Sequence, residues 1–190
     1  PDWGRPVFSV NGEDVGASLL ATLPAVRDRR RAVAEAAPVA VTANEGTIWE
    51  AEQGTLRGVF VADSADQAFG QRCVWAPGEP GAKGGGDGAV TWRLHLAQAG
   101  TYYLWARVLA PTPDDDSFFV RMCTDTGEPL GTTAWHLGTH GEWEWVRFQP
   151  DDAEAGIRLP GGDVWVELSV REDGTRVDRL FLSRDPSATP

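Results

Sequence analysis

A chain of 190 residues suffices for one domain of ordinary size and an appendage, and 42% hydrophobic residues are enough to bury a core. Twenty-eight acidic against 17 basic residues leave a formal charge of −11, which argues against nucleic acid or an anionic membrane as partner, and no apolar run approaches the roughly 20 residues of a membrane helix. Nine Trp, 22 Gly and 13 Pro beside a single Met point to short strands and many turns, not to a helical or α/β enzyme.

Residues 1–37 differ from the rest. Pro6-Val7-Phe8-Ser9-Val10 reads as a short strand, Asn11-Gly12 as a hairpin turn, and Asp14 as the cap of a helix carrying Val15, Leu19, Leu20 and Leu23. Pro24 opens a second helical piece, 25–36, whose Arg29-Arg30-Arg31 run is a solvated face before it is a polyanion site. This short helical N-terminal extension reads as the tail of a preceding domain or a packed linker. The opening Pro1-Asp2-Trp3 suits a piece cut from a longer chain.

From Pro38 the pattern is β and stays β. Candidate strands are 39–42, 47–52, 56–62, 72–76, 89–96, 101–109, 117–122, 132–137, 142–148, 163–170 and 176–182, parted by Gly, Pro and Asp clusters. After Ala99-Gly100 the chain alternates Tyr102, Leu104, Ala106 and Val108 on one face with Tyr103, Trp105 and Arg107 on the other. Bulk on both faces marks an interior strand with both faces covered. The expected fold is an all-β antiparallel β-sandwich over 38–185, with 186–190 as a tail. Cys73 and Cys123 lie in apolar strand contexts and read as buried thiols before they read as a disulfide.

Trp49-Glu50-Ala51-Glu52 puts two carboxylates on one face of a strand, a repulsive arrangement unless a cation or an Arg lies between them. Asp178 sits inside the otherwise packed last strand. First and last strands of a sandwich commonly pair, so Glu50, Glu52 and Asp178 can converge as the hard oxygen ligands calcium takes. The alternative is pairing with Arg72, Arg176 or Arg179. Gly84-Gly85-Gly86-Asp87-Gly88 lacks the ending and the following helix of a phosphate loop and reads as a turn. Asp114-Asp115-Asp116 reads as a solvated loop in which Asp116, beside Ser117, can orient Arg107 or Arg171. No HExxH or GxSxG pattern appears, and Glu142 with Glu144 could imitate a glycosidase pair only across a cleft that a single sandwich rarely builds, so no catalysis is expected.

In chain order, Glu50-Ala51-Glu52, the stretch AGTYYLWARV (99–108), Asp116-Ser117-Phe118-Phe119-Val120 and REDGTRVDRL (171–180) together resemble the galactose-binding-like β-sandwich carbohydrate-binding modules, in the manner of families 6 and 35, over residues 47–184. The resemblance implies a jelly roll and a structural calcium at Glu50, Glu52 and Asp178, completed by a backbone carbonyl near Gln71 or Arg72. It also implies a non-catalytic module, monomeric, that binds a polysaccharide or oligosaccharide and tethers an attached catalytic domain in an extracellular or periplasmic parent protein. The rival is a sandwich that only packs against its parent enzyme or another protein.

Sugars present C–H faces to flat rings and hydroxyls to planar polar groups. Trp92, Trp105 and Trp165 lie within strands and read as core. Trp75 before the Gly-rich loop, Trp135 and His136 before Gly138, His140, and Trp143 and Trp145 flank loops, and with Asp116 they are the expected ligand-binding residues. The acidic trio lies on strands away from those loops. Calcium removal is therefore expected to lower thermal stability and leave the sugar site formed.

Overall fold

The computed structural model describes residues 9–10, 13–14, 37–41, 46–79, 81, 86–149 and 156–190. The chain divides into two compact units, Pro1–Glu35 and Ala36–Pro190. In the first, β1 (Ser9–Val10) pairs antiparallel with β2 (Glu13–Asp14), Val10 opposite Glu13. Asp14 is thus a strand residue facing Ser9 in register, and the helix it was expected to cap lies outside the described residues. The expected helices and their arginine run lie outside the described residues, as do Thr42, Gly84 and Gly85.

The second unit is a two-sheet sandwich. One sheet runs β11 (Pro129–His136), β10 (Ser117–Thr124), β14 (Gly162–Val170), β8 (Gly88–Leu96). The far edge of β8 is shared by β5 (Thr55–Gly58), antiparallel, and β3 (Val39–Val41), parallel. The other sheet runs β12 (His140–Arg147), β9 (Gly100–Ala110), β15 (Arg176–Ser183), β7 (Arg72–Trp75), β6 (Val61–Ser64). Two short strands extend it: β13 (Ile157–Leu159) beside the start of β9, and β4 (Thr47–Glu50) beside the end of β15. The strand bearing Glu50 does pair with the last strand of the sandwich, as expected.

The alternation in β9 resolves as predicted on its inner face. Tyr102, Leu104, Ala106 and Val108 are fully buried and share one core with Val90 and Leu94 of the opposite sheet. Tyr103, Trp105 and Arg107 point outward and are half-buried. Among the described residues they are covered by side chains and a loop: Arg147 lies 4.5 Å over the Tyr103 ring, and Arg107 donates to the Gln67 carbonyl at 3.2 Å. Trp92 is core, 2% exposed, with its indole N–H donated to Ala51 O at 3.1 Å. Trp105 and Trp165 are half-buried and not core. Cys73 and Cys123 are free, buried thiols, and burial above all pushes the Cys73 thiol up to about 11.

Two predicted strands break where the chain changes sheet. The stretch 47–52 ends as a strand at Glu50, and Ala51–Gln53 form a 3-10 turn, so Glu50 and Glu52 do not share one strand face. The stretch 56–62 is two strands in opposite sheets, β5 and β6, joined by a corner at Gly58. Gly58 has φ +63°, and a Cβ there would lie 2.0 Å from the Asp87 carbonyl oxygen, so only glycine passes this corner.

On the outer face of the first sheet Asp163 faces His95 at 2.6 Å and pairs with Arg93. The His95 hydrogen bond first, with Arg93 behind it, holds the Asp163 carboxyl below the usual carboxylate range against a smaller opposing effect of burial. Such a group adds stability above its unfolded pKa and loses it as pH falls through the lowered folded value. The melting temperature of wild type is therefore expected to drop more steeply than that of Asp163→Asn below about pH 4; parallel acid limbs in calorimetry would contradict this.

Candidate functional site

Two neighbouring constellations occupy the outer face of the second sheet, and one loop belongs to both. The first is acidic. The pairing of β15 with β9 jumps between Val177 and Arg179, leaving Asp178 as an extra residue opposite no partner, a β-bulge that re-aims a side chain. Asp178 is fully buried. It pairs with Arg107 and accepts the Phe69 N–H on both oxygens, at 3.1 and 3.2 Å. Burial dominates and raises its carboxyl, against Arg107 and the Phe69 N–H, with Glu50 pushing the same way as burial.

Glu50 pairs with Arg179 through Oε1, so the arginine alternative raised for these acids holds for that oxygen. Arg179 in turn lies 3.2 Å over the Phe69 ring. Glu50 Oε2 and Glu52 Oε2 are buried without a hydrogen-bond partner. The Gln71 carbonyl, near the one expected to complete a calcium shell, accepts the Ala65 N–H at 3.0 Å. Among the described residues no three His, Cys, Asp or Glu side chains form a ready metal shell, and Asp178 faces Arg107 instead of the two glutamates' free oxygens. The donor chemistry nonetheless suits a hard divalent cation, because a buried carboxylate oxygen with no partner is costly and calcium takes such oxygens.

The second constellation is a polar groove of about 520 Å³. Ser64, Ala65, Asp66 and Gln67 form one wall, Gly141, Glu142 and Trp143 line another part, and Leu109 and Arg176 complete it. Trp143 and Trp75 both pack on a small cluster of Ala65, Ala68 and Cys73. The Trp143 indole N–H donates to the Asp66 carbonyl at 3.0 Å, and Arg107 lies 5.5 Å from its ring centre. Arg176, opposite Trp75 in register, stacks 4.6 Å over that ring.

The predicted ligand residues separate accordingly. Trp143 lines the groove, Trp75 packs on the same small cluster without lining it, and Trp145 follows on the same outer face, opposite Arg107 in register. Trp135 does not belong there: it is 1% exposed and meets Phe148 edge-on at 5.2 Å, because residues 133, 135 and 137 of β11 and the segment after it turn inward with the core. His140 is tied to Leu137 O at 2.9 Å and to Glu144 at 3.2 Å. His136 is exposed opposite Ser117. Asp116 lies beside Glu172, and burial, followed by that neighbour's charge, raises its carboxyl. Ser117 accepts from Arg171 at 2.5 Å, whereas Arg107 faces Asp178. Neither His136 nor Asp116 lines the groove. Arg176, Asp66 and Gln67 were not anticipated as groove residues. The register of β7 with β15, which sets Arg176 on Trp75, is the signal that finds the first.

No family model and no curated protein sequence matches this chain. Solved structures do. The chain is similar to an isomalto-dextranase of Arthrobacter globiformis solved with panose (16% identity, TM-score 0.55, 73% of this chain, 23% of that one). It is also similar to a family 35 carbohydrate-binding module of Clostridium thermocellum (15%, 0.52, 72% and 96%). A third is a family 6 module from a Cellvibrio mixtus lichenase in complex with cellotriose (11%, 0.52, 72% and 95%). The chain thus spans about a quarter of the enzyme and nearly all of each isolated module. At these identities the likeness establishes the fold alone, an antiparallel β-sandwich of the kind seen in those carbohydrate-binding modules.

Proposed function

We propose that this β-sandwich is a non-catalytic carbohydrate-binding module that holds a polysaccharide or oligosaccharide in the groove between the Ser64–Gln67 wall and Trp143. One observation carries the reading: Trp143 and Arg176 line a polar groove whose size and mixed lining suit a small sugar, with Trp75 beneath Arg176 and packed on the same small cluster as Trp143. Glu144, one of the two acids a glycosidase reading would use, is tied to His140 and does not line the groove. Tethering is the corresponding mechanism. Modest affinity for a polymer raises the effective concentration of an attached catalytic domain at its substrate, in a secreted parent protein. The module acts as a monomer, with a structural calcium held by Glu50 and Glu52 beside Asp178. Support for the metal comes from the two buried glutamate oxygens that lack partners. Its chemistry there is charge neutralisation.

The test is isothermal titration with panose and cellotriose, and affinity electrophoresis in neutral and acidic polysaccharides, on wild type and Trp143→Ala. Loss of a stacking Trp is expected to weaken binding roughly 10- to 30-fold, about 1.4 to 2 kcal/mol, with a lower melting temperature but a folded domain by circular dichroism, because the half-buried ring also packs on Ala65, Ala68 and Cys73 and ties Asp66. No binding by wild type to any of these would instead favour a sandwich that packs against its parent protein.

A further inference from the structure

We propose that Arg107 is the positioning residue of the groove, and that through it the acidic constellation sets the groove's shape. The inference rests on the groove reading above. Three features meet at one guanidinium. Arg107 pairs with the buried Asp178, donates to the Gln67 carbonyl at 3.2 Å, and lies 5.5 Å from the centre of the Trp143 ring. Gln67 and Trp143 are both groove residues; Asp178 is not.

The loop between β6 and β7 supplies the connection. Its first part, Ala65 to Gln67, is groove wall, and its second part, Phe69 to Gln71, caps the acids through the Phe69 N–H on Asp178. Gln67 and Gln71 have φ of +62° and +57°, a left-handed backbone that glutamine does not favour. A loop of this shape needs ties from outside it. Among the described residues three hydrogen-bonding partners reach it from outside, Asp178 at Phe69, Arg107 at Gln67 and the Trp143 indole at Asp66, and Arg179 stacks over the Phe69 ring. Two of the three hydrogen-bonding partners are the Arg107–Asp178 pair. A planar fork with several donors can serve a carboxylate and a carbonyl at once while lying near an aromatic ring, which a lysine ammonium does less well. Metal site and sugar site are then joined by a shared loop, contrary to the separation expected from their places in the sequence.

The experiment compares wild type, Arg107→Met and Arg107→Lys. Trp143 is read by its indole N–H resonance, assigned with Trp143→Phe, and residues 65–71 by amide hydrogen exchange. Affinity is measured for whichever of panose, cellotriose or the polysaccharide panel wild type binds. In Arg107→Met the indole resonance is expected to move, exchange at Phe69 to quicken about tenfold or more, and affinity to fall about tenfold or more; Arg107→Lys falls between. A lower melting temperature with indole, exchange and affinity all at wild-type values would overturn the proposal, since Arg107 would then only neutralise Asp178. Should Arg107→Met not fold, Arg107→Lys decides by the same three readouts. If wild type binds no sugar, the groove reading fails, and the indole and exchange measurements still decide whether Arg107 shapes the loop.

Discussion

Trp135→Ala is expected to cost about 3 to 5 kcal/mol of stability, the range for truncating a large buried aromatic. The ring is 1% exposed, stands opposite Phe118 in the β10–β11 register and meets Phe148 edge-on. Alanine would leave a void between two sheets, and a close-packed core fills such a void only in part. Against a total stability of about 5 to 15 kcal/mol, that is a large fraction. Urea melts with far-UV circular dichroism would show it as a fall in the midpoint. Trp135→Phe should recover part of the loss. An unchanged midpoint with lost sugar affinity would return Trp135 to the binding surface.

Millimolar calcium is expected to raise the melting temperature by several degrees, and EDTA to reverse the rise. A ligand present at a hundred times its dissociation constant stabilises by about 2.7 kcal/mol, which corresponds to roughly 5 to 10 °C for a domain of this size. Glu52→Gln should remove most of the response, because it replaces one of the two buried oxygens without a partner by an amide that binds calcium more weakly. The control is Glu144→Gln, on the edge strand and away from these acids, which should leave the response intact. Calorimetry with and without the ion measures both. No shift in wild type would mean that Arg179 and Arg107 alone answer the acidic charges.

The two-sheet fold was legible because strand alternation carries it. Tyr102, Leu104, Ala106 and Val108 announce an inner face, and all four are buried. The corners were not legible. Residues 56–62 look like one strand, and it is the Asp87 carbonyl, distant in sequence, that accepts the Val59 N–H at the corner and leaves room only for glycine at position 58. Ile157–Leu159 is too short to stand out and gains its strand character from pairing with Gly100–Tyr102. Trp135 looked exposed because Gly138 follows closely, yet Trp135 and Leu137 are spaced by two and both turn inward. The groove wall was hidden for another reason. Asp66, Gln67 and Phe69 act through backbone carbonyls and an N–H, and no side-chain pattern reports those.

Glu50 and Arg179 lie 129 residues apart in the chain and side by side in the second sheet. The strand β15, which carries Arg179 and lies between β4 and β9, is the last strand of the sandwich in chain order. Until it emerges, β4, β7 and β9 each lack a neighbour, so the sandwich cannot close progressively from its N-terminal side. Most of its pairings are long-range, which places folding on the millisecond-to-second scale of β-sandwiches. During synthesis the chain must therefore carry open strand edges for as long as translation takes, at roughly 5 to 20 residues per second. Closure of the sandwich therefore waits on its own last strand.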